Sequence, residues 1–465
     1  MPSSVILAPG SSSIRDTFQG LEDMVRQAGE RCRVPGVAFG VLYRGSEYVA
    51  GFGVTSVEHP LAVDADTLLQ IGSITKTFTA MALTRLVESG AVDMQRPIRT
   101  YLPELRLADA QVTAEVTLRH VLTHTAGWEG DDFSDPGSGD DALARYVAGM
   151  AELPQLSPLG QTWSYCNSGF CLAGRVVESV TGKTYETALH ELVLDPLHMA
   201  HSFLFPADVM THRFAVGHYP RDDRVVVARP WPIPRAANAA GGLTMSVRDL
   251  LEYARFHIGD GVGPDGTQVL KSESLALMHS PLAQAGGMAD SVGLAWMQRS
   301  VDGVRVVEHS GGTNGQTSTL KLVPERDFAI AVLTNADRGA ELCNQVANWA
   351  FKNLLGLEQS DPATFDVPAE QLAAYLGRYE ARLNTIELAL QDGNLVAQLT
   401  PRGGFPTKDS PPWPAPPPVR VAFFADDRIL ALDPPWTGAR GEFLRDPDGS
   451  IAWLRWGGRI AARQR

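Results

Sequence analysis

Leu69-Gln70-Ile71-Gly72-Ser73-Ile74-Thr75-Lys76-Thr77-Phe78-Thr79-Ala80 is an apolar approach followed by a good helix former. A serine and a lysine three apart on a helix share one face. A lysine held there and desolvated binds its proton less tightly and becomes a base for the neighbouring serine. Ser-x-x-Lys recurs by chance, so its weight depends on the company it keeps along the chain. Two further segments come after it in order, Tyr165-Cys166-Asn167 and His309-Ser310-Gly311-Gly312. Tyr165 offers a phenolate or a proton relay, the phenolate requiring that the lysine charge lower its pKa. Asn167 offers an amide to orient the lysine or bind a substrate carbonyl. His309 offers an imidazole to hold the phenol or share its proton. Gly311 and Gly312 let a substrate backbone approach their strand closely. The backbone N–H groups of Ser73 and Gly312 are the candidates for an oxyanion hole.

Outward from this stretch, the spacing predicts a helix from Ile74 to Ser89, closed by Gly90. Phe18 to Arg31 is amphipathic, with Leu21, Met24, Val25 and Ala28 on one face. Pro35-Gly36 breaks that helix, and Val37–Tyr43 and Glu47–Ala50 read as a hairpin about Arg44-Gly45-Ser46. Helices are expected at 169–180 and 246–258, the second capped by Ser246. After Gly303 come three strand-like runs, 304–308, 317–323 and 328–334, and a closing helix at 341–355. Strands early and late with helices between predict one antiparallel sheet built from both ends of a domain, with a helical lobe inserted. That domain spans 18–355, after a flexible lead-in over 1–17. A linker over 356–369 leads to an all-β unit at 370–465, read as a small barrel with hairpin turns at Asp392-Gly393 and Asp448-Gly449. Its proline-rich stretch from Pro401 to Pro418 reads as a loop.

The net charge of −13 disfavours nucleic acid and anionic membranes as partners. No apolar run reaches the ~18 residues of a membrane span. The four cysteines, Cys32, Cys166, Cys171 and Cys343, form no C-x-x-C pair and have no histidine cluster beside them, so no metal is expected. They read as free buried thiols of a reducing compartment. The first ten residues lack the basic start and long apolar run of a secretion signal, so the expected location is cytoplasmic. Glu129, Asp131, Asp132 and Asp135 lack regular calcium-ligand spacing and read as a solvated loop. His124 reads as a structural hydrogen-bonder, Cys166 as a spacer, and Trp413, Trp436, Trp453 and Trp456 as barrel core. No cofactor motif is present; the glycines at 311–315 lack the lysine of a phosphate loop.

With Ser73-x-x-Lys76, Tyr165-x-Asn167 and His309-x-Gly311 in order, the chain resembles the serine β-lactamase and penicillin-binding-protein superfamily, in its class C-like esterase and peptidase branch. Leu122-Thr123-His124-Thr125-Ala126-Gly127 and Gly90-Ala91-Val92-Asp93 ahead of Tyr101-Leu102-Pro103 extend the resemblance over about residues 18–355. The tail after 370 is similar to the lipocalin-like barrel appended to D-aminopeptidases. The resemblance implies an α+β fold, an acyl-enzyme on Ser73, a small-molecule or short-peptide substrate and no cofactor. The family's antibiotic-hydrolysing members usually carry Lys-Thr-Gly at the third motif. His309-Ser310-Gly311 replaces that fixed cation with a largely neutral imidazole. This favours an esterase, amidase or aminopeptidase over a β-lactamase. An acyltransferase or peptide cyclase, and an acylating sensor without turnover, use the same covalent step and stand as alternatives.

Overall fold

The computed structural model describes residues 4–6 and 12–464. The early hairpin forms strands β1 (Gly36–Tyr43) and β2 (Ser46–Gly53). Arg44 and Gly45 between them both take positive φ, 50° and 75°, the left-handed pair that matches a two-residue turn to the right-handed strand twist. The late strands are β3 (Met297–Val301), β4 (Val304–Thr313), β5 (Gln316–Val323) and β6 (Phe328–Thr334). They join the hairpin in a nine-stranded sheet, in the order Ser4–Ile6, β2, β1, β6, β5, β4, β3, Ser291–Val292, Ala283–Gln284. β1 pairs antiparallel with β6, Tyr43 opposite Phe328 and Val37 opposite Thr334. The two ends of the domain therefore meet at the middle of the sheet.

β6 is buried along its whole length because helices cover both faces. On one face α1 (Ser12–Cys32) places Leu21, Val25 and Ala28 against Phe39, Val41, Ile330 and Val332. On the other, Phe78 of α2 (Thr75–Glu88) belongs to the core that holds Ala38, Leu42, Ala329 and Leu333. The inserted lobe contributes α3 (Asn167–Thr181) and α4 (Val247–Ile258) to the same core. Ser246 caps α4 by accepting the Asp249 N–H at 3.2 Å. The closing helix α5 (Gly339–Ala350) lies beside α1, with Leu342, Val346 and Ala347 in the first core.

Helix α1 starts at Ser12, before the Phe18 at which the apolar periodicity becomes readable. Of the expected flexible lead-in, residues 1–3 and 7–11 lie outside the described residues, and Ser4–Ile6 pairs with β2. Residues 356–368 form no helix or strand beyond one bridge from Phe365 to Phe423. Beyond them lies a closed eight-stranded barrel. Its strands are β7 (Gly377–Glu380), β8 (Asn384–Gln391), β9 (Asn394–Pro401), β10 (Val419–Ala425), β11 (Arg428–Ala431), β12 (Arg440–Arg445), β13 (Ile451–Trp456) and β14 (Arg459–Arg463). The sequence pattern shows six of these. β7 and β14 escape it because they are short and carry arginine and glutamate, yet they pair with each other and close the barrel. Tyr379, Ile386, Val421, Phe443 and Leu454 fill its core.

Candidate active site

Three chain segments converge where α2 begins, α3 begins and β4 ends. Gly72 sits at φ +52° in a 3₁₀ turn that leads into α2. A side chain there would begin 2.6 Å from the Gly312 nitrogen, so only glycine brings this turn against β4. Gly311 is buried with its α-carbon against the Ile71 carbonyl, and Ser318 Oγ donates to that same oxygen at 2.8 Å. Gly311 thus fastens β4 to the turn that carries Ser73. Gly312 is exposed, with open space above its α-carbon.

Lys76 is fully buried on the first turn of α2. Its Nζ donates to Ser73 Oγ at 3.0 Å and to the Ala240 carbonyl at 2.6 Å. Burial lowers its pKa to about 7, with the Arg459 charge adding to the effect. A lysine so tuned is half deprotonated near neutrality and is suited to take the Ser73 proton.

Tyr165 lies with its ring centroid 5.0 Å from Lys76 Nζ, and its hydroxyl interacts with Ser73. Burial raises its pKa above the ordinary tyrosine value, and the contacts with Ser73 and Arg459 offset this only in part. The phenol is therefore protonated at neutral pH. Of the two roles expected for it, the relay fits this environment and the phenolate does not. Cys166 caps α3, its Sγ accepting the Gly169 N–H at 3.3 Å, and so sets the spacing between Tyr165 and Asn167. Asn167 is buried, and its Nδ2 donates to Asp131 Oδ1 at 2.7 Å.

His309 lies close by, its ring centroid 6.2 Å from that of Tyr165. Its Nδ1–H donates to the Ser310 carbonyl at 2.7 Å, and its buried Nε2 has no hydrogen-bond partner among the described residues. Burial, reinforced by Lys76, holds its pKa down to about 3. It is a neutral imidazole that presents a lone pair, not a hydrogen-bond donor to the phenol. His124, at a left-handed φ of 58°, accepts the Cys166 N–H on Nδ1 at 3.0 Å and stacks on Tyr165 at 4.4 Å. That is the structural role expected of it.

The residues missed in the sequence are Arg459 and Asp131. The hairpin between β13 and β14 enters the site, where Tyr165 N–H donates to the Gly458 carbonyl at 2.8 Å. Arg459 lies over the Tyr165 ring, Cζ 4.6 Å from the centroid, and its Nε donates to Asp131 Oδ2 at 3.0 Å. Asp131 is buried, so the solvated-loop reading of the acidic run is corrected at this residue. The barrel-core reading holds for Trp436 and Trp456, which pack against that core, and is corrected at Trp413. Trp436 and Trp456 line a cavity of ≈ 540 Å³ bordered by Asp131 and Arg459, and Trp413 packs against Tyr219 at 4.0 Å. Arg459 and Asp131 lie too far apart in the chain for any local pattern to join them.

The Beta-lactamase family model matches residues 21–349. The chain belongs to the β-lactamase family. It is 33% identical over 359 residues to "Penicillin-binding protein 4" of Amycolatopsis lactamdurans, covering 75% of this chain and 93% of the relative. It is 23% identical over 424 residues to "Unguisins hydrolase ungD" of Aspergillus violaceofuscus, covering 85% and 72%. The structure of SurE with D-Leu superposes at a TM-score of 0.75 and 26% identity over 97% of this chain and 100% of the other, barrel included. β-Lactamase-family members are serine hydrolases or acyltransferases.

Proposed function

We propose that this chain is a serine hydrolase that forms an acyl-enzyme on Ser73 and acts on small esters, amides or short peptides, D-residue-containing ones among them. The observation that carries this reading is the fully buried Lys76, depressed to about pH 7 and hydrogen-bonded to Ser73 Oγ. In this mechanism neutral Lys76 accepts the Ser73 proton as Oγ attacks the carbonyl. The oxyanion is held by the N–H groups of Ser73 and Gly312, each worth roughly 3 kcal/mol. Protonated Tyr165 delivers a proton to the leaving atom and is recharged from Lys76. Water then cleaves the acyl ester by the same steps in reverse. The D-residue part of the proposal is supported by SurE having been solved with D-Leu. The cytoplasmic reading is supported by four cysteines that are all free and buried.

A second reading, an acyltransferase, draws support from the barrel hairpin. It lies over Tyr165 and keeps water from that flank of the acyl-enzyme, which favours an amine acceptor. The test is a panel of p-nitrophenyl esters and D- and L-aminoacyl amides, with intact-mass detection of the acyl-enzyme. The wild type is expected to turn over and to gain one acyl mass, and Ser73→Ala to do neither. Full turnover by Ser73→Ala refutes the proposal. Product masses with and without an added amine separate hydrolase from transferase.

A further inference from the structure

The hairpin between β13 and β14 is seated beside Tyr165 by a loop outside the barrel, residues 285–290. Gly458 at the hairpin tip takes φ +78°. A side chain on it would begin 2.5 Å from Met288 Sδ and 3.1 Å from the Trp163 ring. Gly458 is therefore gripped from both sides, and only glycine leaves the two jaws room to close. Trp163 is buried, and half-buried Met288 packs against the small core that holds Trp163 and Tyr165. Two residues before Met288, Gly286 lies on the barrel's Arg455–Glu442 ion pair, where a side chain would begin 1.8 Å from Arg455 Nη1.

The Met288 jaw is braced from the sheet. Arg299 Nη2 donates to the Met288 carbonyl at 2.7 Å, and Arg299 Nε donates to Glu308 Oε1 at 2.6 Å. Glu308 lies on β4, next to His309. The grip on the barrel hairpin is thus anchored on the strand that also carries Gly312.

We infer that Met288 is a positioning residue: with Trp163 it clasps Gly458, and so keeps the Gly458 carbonyl on the Tyr165 N–H and the Arg459 guanidinium over the Tyr165 ring. A thioether suits this task, since it fills an irregular gap beside an aromatic ring by contact alone. The charged and titratable groups that face Lys76 are Arg459, Asp131, Tyr165, His124, His309, Cys166 and Cys171. Burial keeps the phenol, the imidazoles and the thiols neutral at neutral pH. That leaves the Arg459–Asp131 ion pair as the local source of charge. Asp131 is also bonded to Asn167, whereas Arg459 travels with the hairpin. When the hairpin recedes, repulsion from Arg459 falls and Lys76 keeps its proton to higher pH.

The experiment uses the full chain, with hydrogen–deuterium exchange read by mass spectrometry and kcat/KM for p-nitrophenyl acetate read against pH. Met288→Ala is expected to speed exchange of the Tyr165 amide about tenfold, because its partner carbonyl is no longer held, and to leave the α5 peptide unchanged. The same variant is expected to raise the acid limb of kcat/KM by about half a unit, less than Arg459→Gln does by removing the whole charge. Met288→Leu, which refills the gap, is expected to restore both. Combined with Arg459→Gln, Met288→Ala is expected to speed the exchange and not to move the limb further. Unchanged Tyr165 exchange in Met288→Ala overturns the clasp. A limb that stays in place, or that moves as far again without Arg459, overturns its link to Lys76. The kinetic half rests on the acyl-enzyme reading, which turnover by Ser73→Ala decides separately; the exchange half stands without it.

Discussion

Replacing Arg459 by glutamine removes a positive charge that the barrel holds beside Lys76, the proposed general base. Arg459 Cζ and Lys76 Nζ lie 4.6 and 5.0 Å from the Tyr165 ring centroid, so they are no more than about 10 Å apart. Two unit charges at that distance repel by about 1.7 kcal/mol at an effective dielectric of ~20. One pKa unit corresponds to about 1.4 kcal/mol, and the Arg459 side chain is 32% exposed, which screens part of the repulsion. The lysine is therefore expected to rise by about one pH unit from its value of about 7. Below its pKa the lysine is an ammonium and cannot take the Ser73 proton, so kcat/KM falls on the acid side with that midpoint. His309 adds no limb there, since burial keeps it neutral down to about 3. The assay is kcat/KM for p-nitrophenyl acetate from about pH 5 to pH 9. Arg459→Gln is expected to shift the acid limb upward by about one unit, and Arg459→Lys to leave it near the wild-type position. A limb that stays in place or moves down in a folded Arg459→Gln chain rules out this coupling between the barrel and the lysine.

Lys76→Ala is expected to cost roughly 10²–10⁴ in kcat and to abolish the acid limb near pH 7; a pH–rate profile that keeps that limb assigns it to another group. Gly72→Ala forces a side chain into a left-handed turn and toward the Gly312 nitrogen. A drop in kcat of about 10²–10³ is expected, read with an activated ester, and wild-type kcat contradicts the assigned oxyanion donors. Glu308 is buried, paired with Lys321 and held by Arg299 Nε at 2.6 Å. Burial alone would raise its pKa, but the two cations outweigh it and lower it to about 2. Its contribution is complete above the unfolded pKa of about 4.3 and is lost as pH falls through about 2. Glu308→Gln is expected to lose about 3–5 kcal/mol in urea unfolding at neutral pH, and a loss under ~1 kcal/mol contradicts the pairing.

Much of this architecture is legible in the chain because its signals are local. The left-handed Arg44-Gly45 turn, the Ser246 cap and the apolar runs of β5 and β6 depend on neighbours within a few residues. Ser73 and Lys76 are legible for the same reason, one helical turn fixing their distance. Features that escape are set by contacts between distant segments. The charge state of Tyr165 follows from burial under the barrel hairpin, which no spacing reveals. Asp131 joins Asn167 to Arg459 from a distant part of the chain, and both Asp131 and Arg459 look like surface residues in the sequence. Strands β7 and β14 are hidden by their charged residues, although barrel closure needs both.

The pairing of Tyr43 with Phe328 has a consequence for synthesis on the ribosome. The first hairpin emerges early, and its β1 edge stays bare until β6 arrives about 280 residues later, roughly 15–60 s at ordinary elongation rates. Over that interval the nascent polypeptide presents Val37-Ala38-Phe39-Gly40-Val41-Leu42 as an open template for other chains. Shielding of that edge by chaperones during synthesis is then one requirement for the chain to reach its fold.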